Sequence, residues 1–262
     1  MVRIASFNAL HGRSLADGIA SASRLAEACA SLDADVLGVQ EIDRWQDRSE
    51  GADQPAAVAA ATGAVDWRYV PTLTGTPGGV WRPTSRAPEP ASESAAYGIA
   101  LFSRLPVQWW RTLRLPPPSA RMRAPVLVPG TRRWTWIADE PRVAVCARLE
   151  LAGCEVTVAT THLSFVPAWN AWQLRRLVRA LRGLPGPYLL LGDLNLPGRL
   201  PPMLAGWQPL VRAKTYPASS PRLQLDHVLA SPWASWSPSG EAAVELPVSD
   251  HRAVVVDVEP SG

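Results

Sequence analysis

The chain has 262 residues, 47% of them hydrophobic, and a formal net charge of +3. That length and apolar content allow one sizeable core, so a single domain over residues 1–262 is expected. No run of about 18 apolar residues occurs, which excludes a membrane-spanning helix, and Met1–Leu10 lacks the apolar stretch and cleavage site of a secretory signal, so a cytoplasmic location is expected.

Arg3–Asn8 alternates apolar and polar residues and is predicted as a strand, after which Ile19, Ala22, Ala26, Cys29 and Leu32 recur at helical spacing. Val36–Val39 is a short apolar strand ending in Gln40-Glu41. An Ala-rich helix is expected over Pro55–Thr62 and a strand over Asp66–Val70. Residues 71–96 are rich in Pro, Gly, Thr and Ser and read as a long surface loop, followed by strands at Tyr97–Phe102 and Val107–Leu113. A second long loop is expected over 116–141, carrying Arg121, Arg123, Arg132 and Arg133 beside Trp134 and Trp136; loops this long inside compact domains are functional or disordered. Arg142–Glu150 and Glu155–Thr161 flank Ala152-Gly153 as a hairpin. Leu174, Leu177 and Leu181 share one face of an amphipathic helix over Trp169–Arg182, whose arginines are read as solvated. Strands at Tyr188–Leu191, His227–Ala230, Ala242–Leu246 and Ala253–Val258 complete a strand-rich second half.

Cys29, Cys146 and Cys154 are odd in number, too widely spaced for a zinc pattern and set among aliphatic residues, so buried thiols in a reducing compartment are expected. The cations are almost all arginine, with Lys214 the one lysine. Guanidinium suits bidentate phosphate binding, but a GC-rich genome gives the same skew.

Polar residues gather where the predicted strands end: Asn8, Gln40-Glu41, Thr161-His162, Gly192-Asp193-Leu194-Asn195, Asp226-His227 and Ser249-Asp250-His251. Carboxylates, amides and histidines without cysteine form a hard, oxygen-rich donor set with proton-handling groups, which suits Mg²⁺ better than zinc and points to a phosphate substrate. A carboxylate directly after a buried strand, as at Glu41, is costly without a cation beside it. In Gly192-Asp193-Leu194-Asn195 the i, i+2 spacing turns the Asp and Asn side chains to one side if the backbone stays extended. Asp226 can orient His251 and raise its pKa. His11, in a loop beyond Asn8, and His227, pointing away from Asp226, look less essential, and Arg142 is either a supporting or a purely structural residue.

The strings SFNAL, QEID, YGIALFSR, THLSF, LGDLNLP, LQLDHVL and VSDHRAV stand in the order and at the strand ends found in the endonuclease/exonuclease/phosphatase family, which the chain therefore resembles over nearly its whole length. The resemblance, to a small bacterial branch, implies an α/β fold: a four-layer α/β/β/α sandwich of two mixed sheets packed face to face, with the active site at one edge. It implies Glu41 and Asp250 as residues holding Mg²⁺, with Mn²⁺ as a substitute, and Asn8 as holding the metal or a phosphate oxygen. Asp193 would orient or deprotonate the attacking water and Asn195 would hold a non-bridging oxygen. His251, with Asp226 behind it, serves either as imidazolium donor or as general base, while His162 would donate to a phosphate oxygen and Tyr97 would orient the catalytic carboxylate or contact the phosphate.

Substrate choice would lie in the loops. Trp81, Arg82, Arg121, Arg123, Trp134 and Trp136 have the aromatic and guanidinium composition used to stack on bases and grip a phosphate backbone, although tryptophans also pin Pro-rich loops to a sandwich. A metal-dependent phosphodiesterase acting on DNA or RNA is the leading expectation. A phosphatase or phosphodiesterase for a small phosphorylated metabolite or lipid headgroup is the first alternative, and an inactive phosphate-binding module the second. No protein partner is indicated.

Overall fold

The computed structural model describes residues 1–77, 82–84, 94–116, 123–127, 133–233 and 235–260. In its first half the chain forms β1 (Val2–Asn8), α1 (Ala22–Ser31), β2 (Val36–Arg44), α2 (Gln54–Thr62), β3 (Asp66–Thr74), β4 (Arg82–Pro83), β5 (Ala96–Ser103) and β6 (Val107–Leu115). It continues through β7 (Arg123–Leu127), β8 (Trp134–Ala138), β9 (Arg142–Leu151), β10 (Cys154–His162), α3 (Trp169–Leu181), β11 (Tyr188–Asp193) and α4 (Leu200–Ala205). The last strands are β12 (Gln208–Pro209), β13 (Asp226–Ala230), β14 (Trp236–Val244) and β15 (Ala253–Pro260).

Among the described residues, seven strands form one sheet in the order β14-β15-β1-β2-β5-β3-β4, and six form a second in the order β12-β13-β11-β10-β9-β6. Both sheets are mixed: β1 and β2 run parallel, as do β10 and β11, while the other pairs are antiparallel. The period-2 alternation of strand side chains assigns each face. In β11, Leu189 and Leu191 enter the core between the sheets with Val36, Val145 and Val256, whereas Tyr188 and Leu190 face Leu174, Leu177 and Leu181 of α3. Ala5 and Phe7 of β1 pack against Leu25 and Cys29 of α1 on the other outer face. The result is the expected α/β/β/α layering. Leu174, Leu177 and Leu181 are fully buried, each contributing about 1.5–3 kcal/mol. The sheets approach closely at Gly38, where a Cβ would lie 2.4 Å from Thr160 Oγ1 and 2.5 Å from Leu191 Cδ1.

Several elements differ from the sequence expectation. The first helix starts at Ala22, capped by Ser21, whose side chain accepts from the Arg24 amide; Ile19 is exposed outside it. The segment 71–96 is not loop from its start, because β3 runs on to Thr74 and pairs with β4. Within 116–141, β7 and β8 form a separate hairpin in which Pro125 faces Trp136; proline reads against a strand unless the strand is an edge. The same rule explains β14, which starts at Trp236 and not Ala242 and takes up Pro238 as an edge strand, with a register shift between Ser239 and Ala242. Cys29 and Cys146 are free and buried, and Cys154 is free and partly exposed. Among the described residues no helix is long and apolar enough to cross a membrane. Trp81, Arg121 and Arg132 lie outside the described residues, as does the side chain of Arg123.

Candidate active site

The paired strand ends bring the polar residues to one edge. Asn8 closes β1 beside Gln40 of β2, and His162 closes β10 beside Asp193 of β11, which in turn faces Asp226 of β13. The loop before β15 delivers Asp250 and His251, tied down by Ser249, whose hydroxyl donates to the Asn8 carbonyl at 2.6 Å and accepts from the His251 amide at 3.0 Å.

Local backbone geometry aims the side chains. Glu41 sits at a register shift between Val39 and Ile42 with φ 55°, a bulge that swings its carboxylate out of the regular alternation and into the cleft. Gly192 has φ 144°, and a Cβ there would lie 1.9 Å from the Thr161 carbonyl oxygen, so only glycine permits β11 to approach β10 this closely. Asn195 does not follow Asp193 on an extended backbone. The strand ends at Asp193, Asn195 takes φ 50°, and its amide donates back to Asp193 Oδ1 at 2.9 Å. This local turn brings both side chains to the site.

A continuous network results. Asn8 Nδ2 donates to Glu41 Oε1 at 3.1 Å and to Asp193 Oδ2 at 3.0 Å, while its Oδ1 accepts from the Leu10 amide. His251 Nδ1 donates to Asp226 Oδ2 at 2.9 Å, leaving Nε2 3.8 Å from Asp193 Oδ2. His162 Nε2 is 3.5 Å from Asp193 Oδ2 and 3.1 Å from Asn195 Nδ2, which also donates to the Leu163 carbonyl. Tyr97 is buried at the far side, with the Arg48 guanidinium 5.4 Å from its ring centroid. Together they line a cavity of about 450 Å³, roofed on one side by Pro125 and Trp134 from the β7–β8 hairpin. His11 also lines it; burial pushes its pKa down to about 3, so it is neutral there. His227 lies outside, its Nε2 hydrogen-bonded to the Leu196 carbonyl.

Burial and mutual proximity set the charges. Burial raises the Glu41 pKa and the Asp250 charge raises it further; burial likewise raises that of Asp250. Asp193 is pushed up to about 6, by burial first and then by Asp226, against the lowering effect of His251. For His251, burial alone would lower the pKa, but Asp226, Asp193 and Asp250 outweigh it and hold it well above the ordinary value. His162 goes the other way, driven well down by burial and by Arg142 and His251. The site thus pairs a charged imidazole with a neutral one around a carboxylate near its titration point.

The donor set fits a hard divalent cation. Glu41, Asp193 and Asp250 are oxygen donors whose anionic forms are penalised by burial, and a single amide nitrogen stands between the first two. That concentration of buried negative charge is what a bound cation neutralises. Asp193, Asp226 and His251 also have ligand atoms within 4.8 Å of one another, but the 2.9 Å hydrogen bond inside that group already uses His251 Nδ1 and Asp226 Oδ2, which makes it a proton-handling cluster.

Three polar lining residues were not singled out by the sequence reading. Arg48 comes from a short turn after β2 and grips Asp43 through two bonds of 2.8 and 2.7 Å. Glu140 is partly exposed, yet desolvation pushes its pKa up to about 7; it lies close to Asp139 and Arg142 in the chain, and Arg142 is buried and bonded to Asp139 at 2.8 Å. Tyr216 packs on His251 with ring centroids 4.8 Å apart. The Asp43 of QEID, one residue past Ile42 and two past Glu41, was the available signal for a buried counter-charge near the site.

Comparison with known proteins agrees with this architecture. A structure from Beutenbergia cavernae described as endonuclease/exonuclease/phosphatase superposes with a TM-score of 0.69 at 20% identity, covering 100% of this chain and 72% of that one. A mannosyl-6-phosphatase from Bacteroides thetaiotaomicron gives 0.61 at 15% identity, covering 99% and 100%. The human Nocturnin catalytic domain with bound sulfate gives 0.59 at 15% identity, covering 99% and 94%. These likenesses establish the shared fold. A search of curated proteins finds no match. The model of the endonuclease/exonuclease/phosphatase family matches residues 5–251, nearly the whole chain, and the protein belongs to that family of phosphoester hydrolases.

Proposed function

We propose that the protein is a Mg²⁺-dependent phosphodiesterase that hydrolyses its substrate by direct in-line attack of water, with a nucleic acid strand as the favoured substrate. The observation that carries this reading is the row Asp226–His251–Asp193–Asn8–Glu41, in which a charged imidazole, a carboxylate near its titration point and a cation-demanding carboxylate follow one another through three hydrogen bonds and one ionic contact of 3.8 Å between His251 Nε2 and Asp193. Glu41, Asn8 and Asp250 are the residues proposed to hold the metal, which when bound supplies neutralisation of charge on the phosphate.

In this reading Asp193, pushed up to about 6, orients the attacking water and accepts its proton, the pKa range in which a general base works near neutrality. As the water oxygen bonds to phosphorus and the ester oxygen departs, His251, held protonated and fixed by Asp226, donates toward the developing negative charge. This assigns His251 the donor role over that of base. Asn195 and the neutral His162, whose Nδ2 and Nε2 lie 3.1 Å apart, stand where they would turn from this mutual contact to the non-bridging oxygens of a bound phosphate, and Tyr97 closes the far wall.

A second reading, a phosphatase or phosphodiesterase for a compact phosphorylated metabolite, is favoured by the roof that Pro125 and Trp134 place over the cavity. The test is turnover of single-stranded DNA, duplex DNA, RNA, a sugar phosphate panel and bis(p-nitrophenyl) phosphate, each with Mg²⁺, Mn²⁺ or EDTA, by wild type and Asp193→Asn. Metal-dependent cleavage of a nucleic acid, lost in the variant, supports the first reading. Turnover of monoesters alone supports the second. No turnover of anything by well-folded protein overturns both in favour of a binding module.

A further inference from the structure

Between Glu155 and Glu241 the chain carries eight arginine and lysine residues, and its only acidic residues are Asp193 and Asp226, both buried in the active site. This stretch holds a net +6, so the remainder of the chain carries a net −3. It contributes β10 to β13 of the six-stranded sheet and much of β14, and its cations lie on α3, at the N-cap of α4 and on the loops outside that sheet. Arg175, Arg176, Arg179 and Arg182 are exposed on α3, and Arg199, Arg212, Lys214 and Arg222 are exposed around α4. Among the described residues none of the eight takes part in an ion pair. An uncompensated cationic face of this kind attracts a polyanion.

Within this face lies a groove of about 780 Å³, larger than the active-site cavity. Its cations are Arg199, Arg212, Lys214 and Arg222, no acidic side chain lines it, and Pro202, Met203 and Leu223 give it an apolar floor and rim. Met203 is 73% and Leu223 46% exposed, an arrangement that leaves apolar surface open between the charges. Groove and active site share a wall. Asn195 and Leu225 line the site, Pro197–Arg199 and Leu223-Gln224 line the groove, and the Gly198 amide donates to the Gln224 carbonyl at 3.0 Å to fasten the two segments. Two residues of extended chain cover at most about 7 Å, so a strand held at the site reaches the groove within a few nucleotides.

We propose that this groove binds the neighbouring phosphates and unpaired bases of a single-stranded nucleic acid whose scissile phosphate lies in the active site. Cations spaced around an apolar floor match a strand that offers phosphates and exposed base faces together; a duplex keeps its base faces stacked inside. The proposal rests on the phosphodiesterase reading for its substrate class, but its binding test is independent of turnover.

The experiment measures binding of a 5′-labelled 12-nucleotide single strand by fluorescence anisotropy in EDTA, across a salt series, for wild type, Arg212→Ala/Arg222→Ala and, as a control on β6, Arg111→Ala. Turnover of bis(p-nitrophenyl) phosphate with Mg²⁺ is measured beside it and reports the active site alone. The groove variant is expected to lose about tenfold in affinity and to flatten the salt dependence by roughly 1.4, two phosphates at about 0.7 each, with Arg111→Ala unchanged. An affinity within twofold of wild type, or equal loss for the control, overturns the proposal. So does equal weakening for a matched duplex, or binding confined to phosphatidylserine vesicles. Failure of the diester to turn over in wild type defeats the phosphodiesterase reading instead, and the anisotropy still decides the groove.

Discussion

Gly192→Ala tests whether the site depends on a single close approach of two backbones. A Cβ at this position would stand 1.9 Å from the Thr161 carbonyl oxygen, where about 3.0 Å is the shortest tolerable contact, so β10 and β11 must part by about 1 Å. Thr161 pairs with Gly192 and His162 with Asp193 in the same parallel ladder, so the displacement falls on two side chains of the candidate site at once. The left-handed φ of 144° adds about 1–3 kcal/mol for any residue with a side chain, and the lost ladder bonds at least as much again. A total of about 4 kcal/mol lowers Tm by roughly 8–16 °C in a chain of this size, and a 1 Å misplacement costs about 10²-fold in kcat. Differential scanning fluorimetry and turnover of bis(p-nitrophenyl) phosphate read the two effects separately. A variant melting within 3 °C of wild type with kcat within twofold would refute the argument that glycine is required here.

Asp226→Asn keeps the shape of the site but removes the charge that holds His251 protonated; kcat is expected to fall by about 10²- to 10⁴-fold with KM little changed, and steady-state kinetics showing a loss confined to KM would contradict the donor role. Glu41 has a folded pKa above its unfolded value, so its ionised form opposes folding at neutral pH. Glu41→Gln should therefore melt above wild type in EDTA, whereas Mg²⁺ should raise the Tm of wild type and not of the variant; a thermal shift series with and without metal checks both signs. His227 has its pKa lowered from 6.5 to about 4 by burial. The unfolded chain takes up the proton first, so stability is full above pH 6.5 and is lost on acidification through to about pH 4, by ~3 kcal/mol. Urea denaturation at pH 7.5 and 4 should show this loss shrink in His227→Gln, and an identical loss in the variant would assign it elsewhere.

Much of the layer order was legible because strands buried on both faces read as short continuous apolar runs. Tyr188–Leu191 is such a run, with Leu189 and Leu191 facing one layer and Tyr188 and Leu190 the other, and polar residues at the ends of such runs mark the edge. What the sequence hides is backbone conformation. Glu41 reads as the residue after a strand, yet it lies inside β2 and reaches the cleft through a bulge; Asn195 reads as an extended i+2 neighbour of Asp193, yet arrives by a left-handed turn. One depends on pairing with a strand more than 50 positions away and the other on a local hydrogen bond, neither of which a hydrophobic pattern records. The β7–β8 hairpin was hidden for a different reason: its proline and arginine content resembles a loop, and it is a two-stranded unit outside both sheets in which Pro125, Trp134 and Trp136 are exposed.

The charge of the chain was readable but misleading when averaged. A net +3 over 262 residues suggests a nearly neutral surface, whereas the segment from 156 to 240 is strongly cationic and forms one face beside the cleft. The averaging matters because long-range attraction acts through the local face, within a Debye length of about 8 Å at physiological salt, and not through the whole-chain total. The active site itself gathers Glu41, Asp193, Asp226 and Asp250, which without a cation would repel a phosphate. In the proposed function a basic face next to an acidic cleft would resolve that conflict in physical terms: it would draw an anionic substrate in over the exposed arginines, while a metal held by the site carboxylates would cancel the repulsion at the point of reaction. On this argument raising the salt concentration weakens KM far more than kcat for a long strand, and leaves both nearly unchanged for a small diester that spans only the site; equal salt sensitivity for the two substrates would mean that the cationic face takes no part.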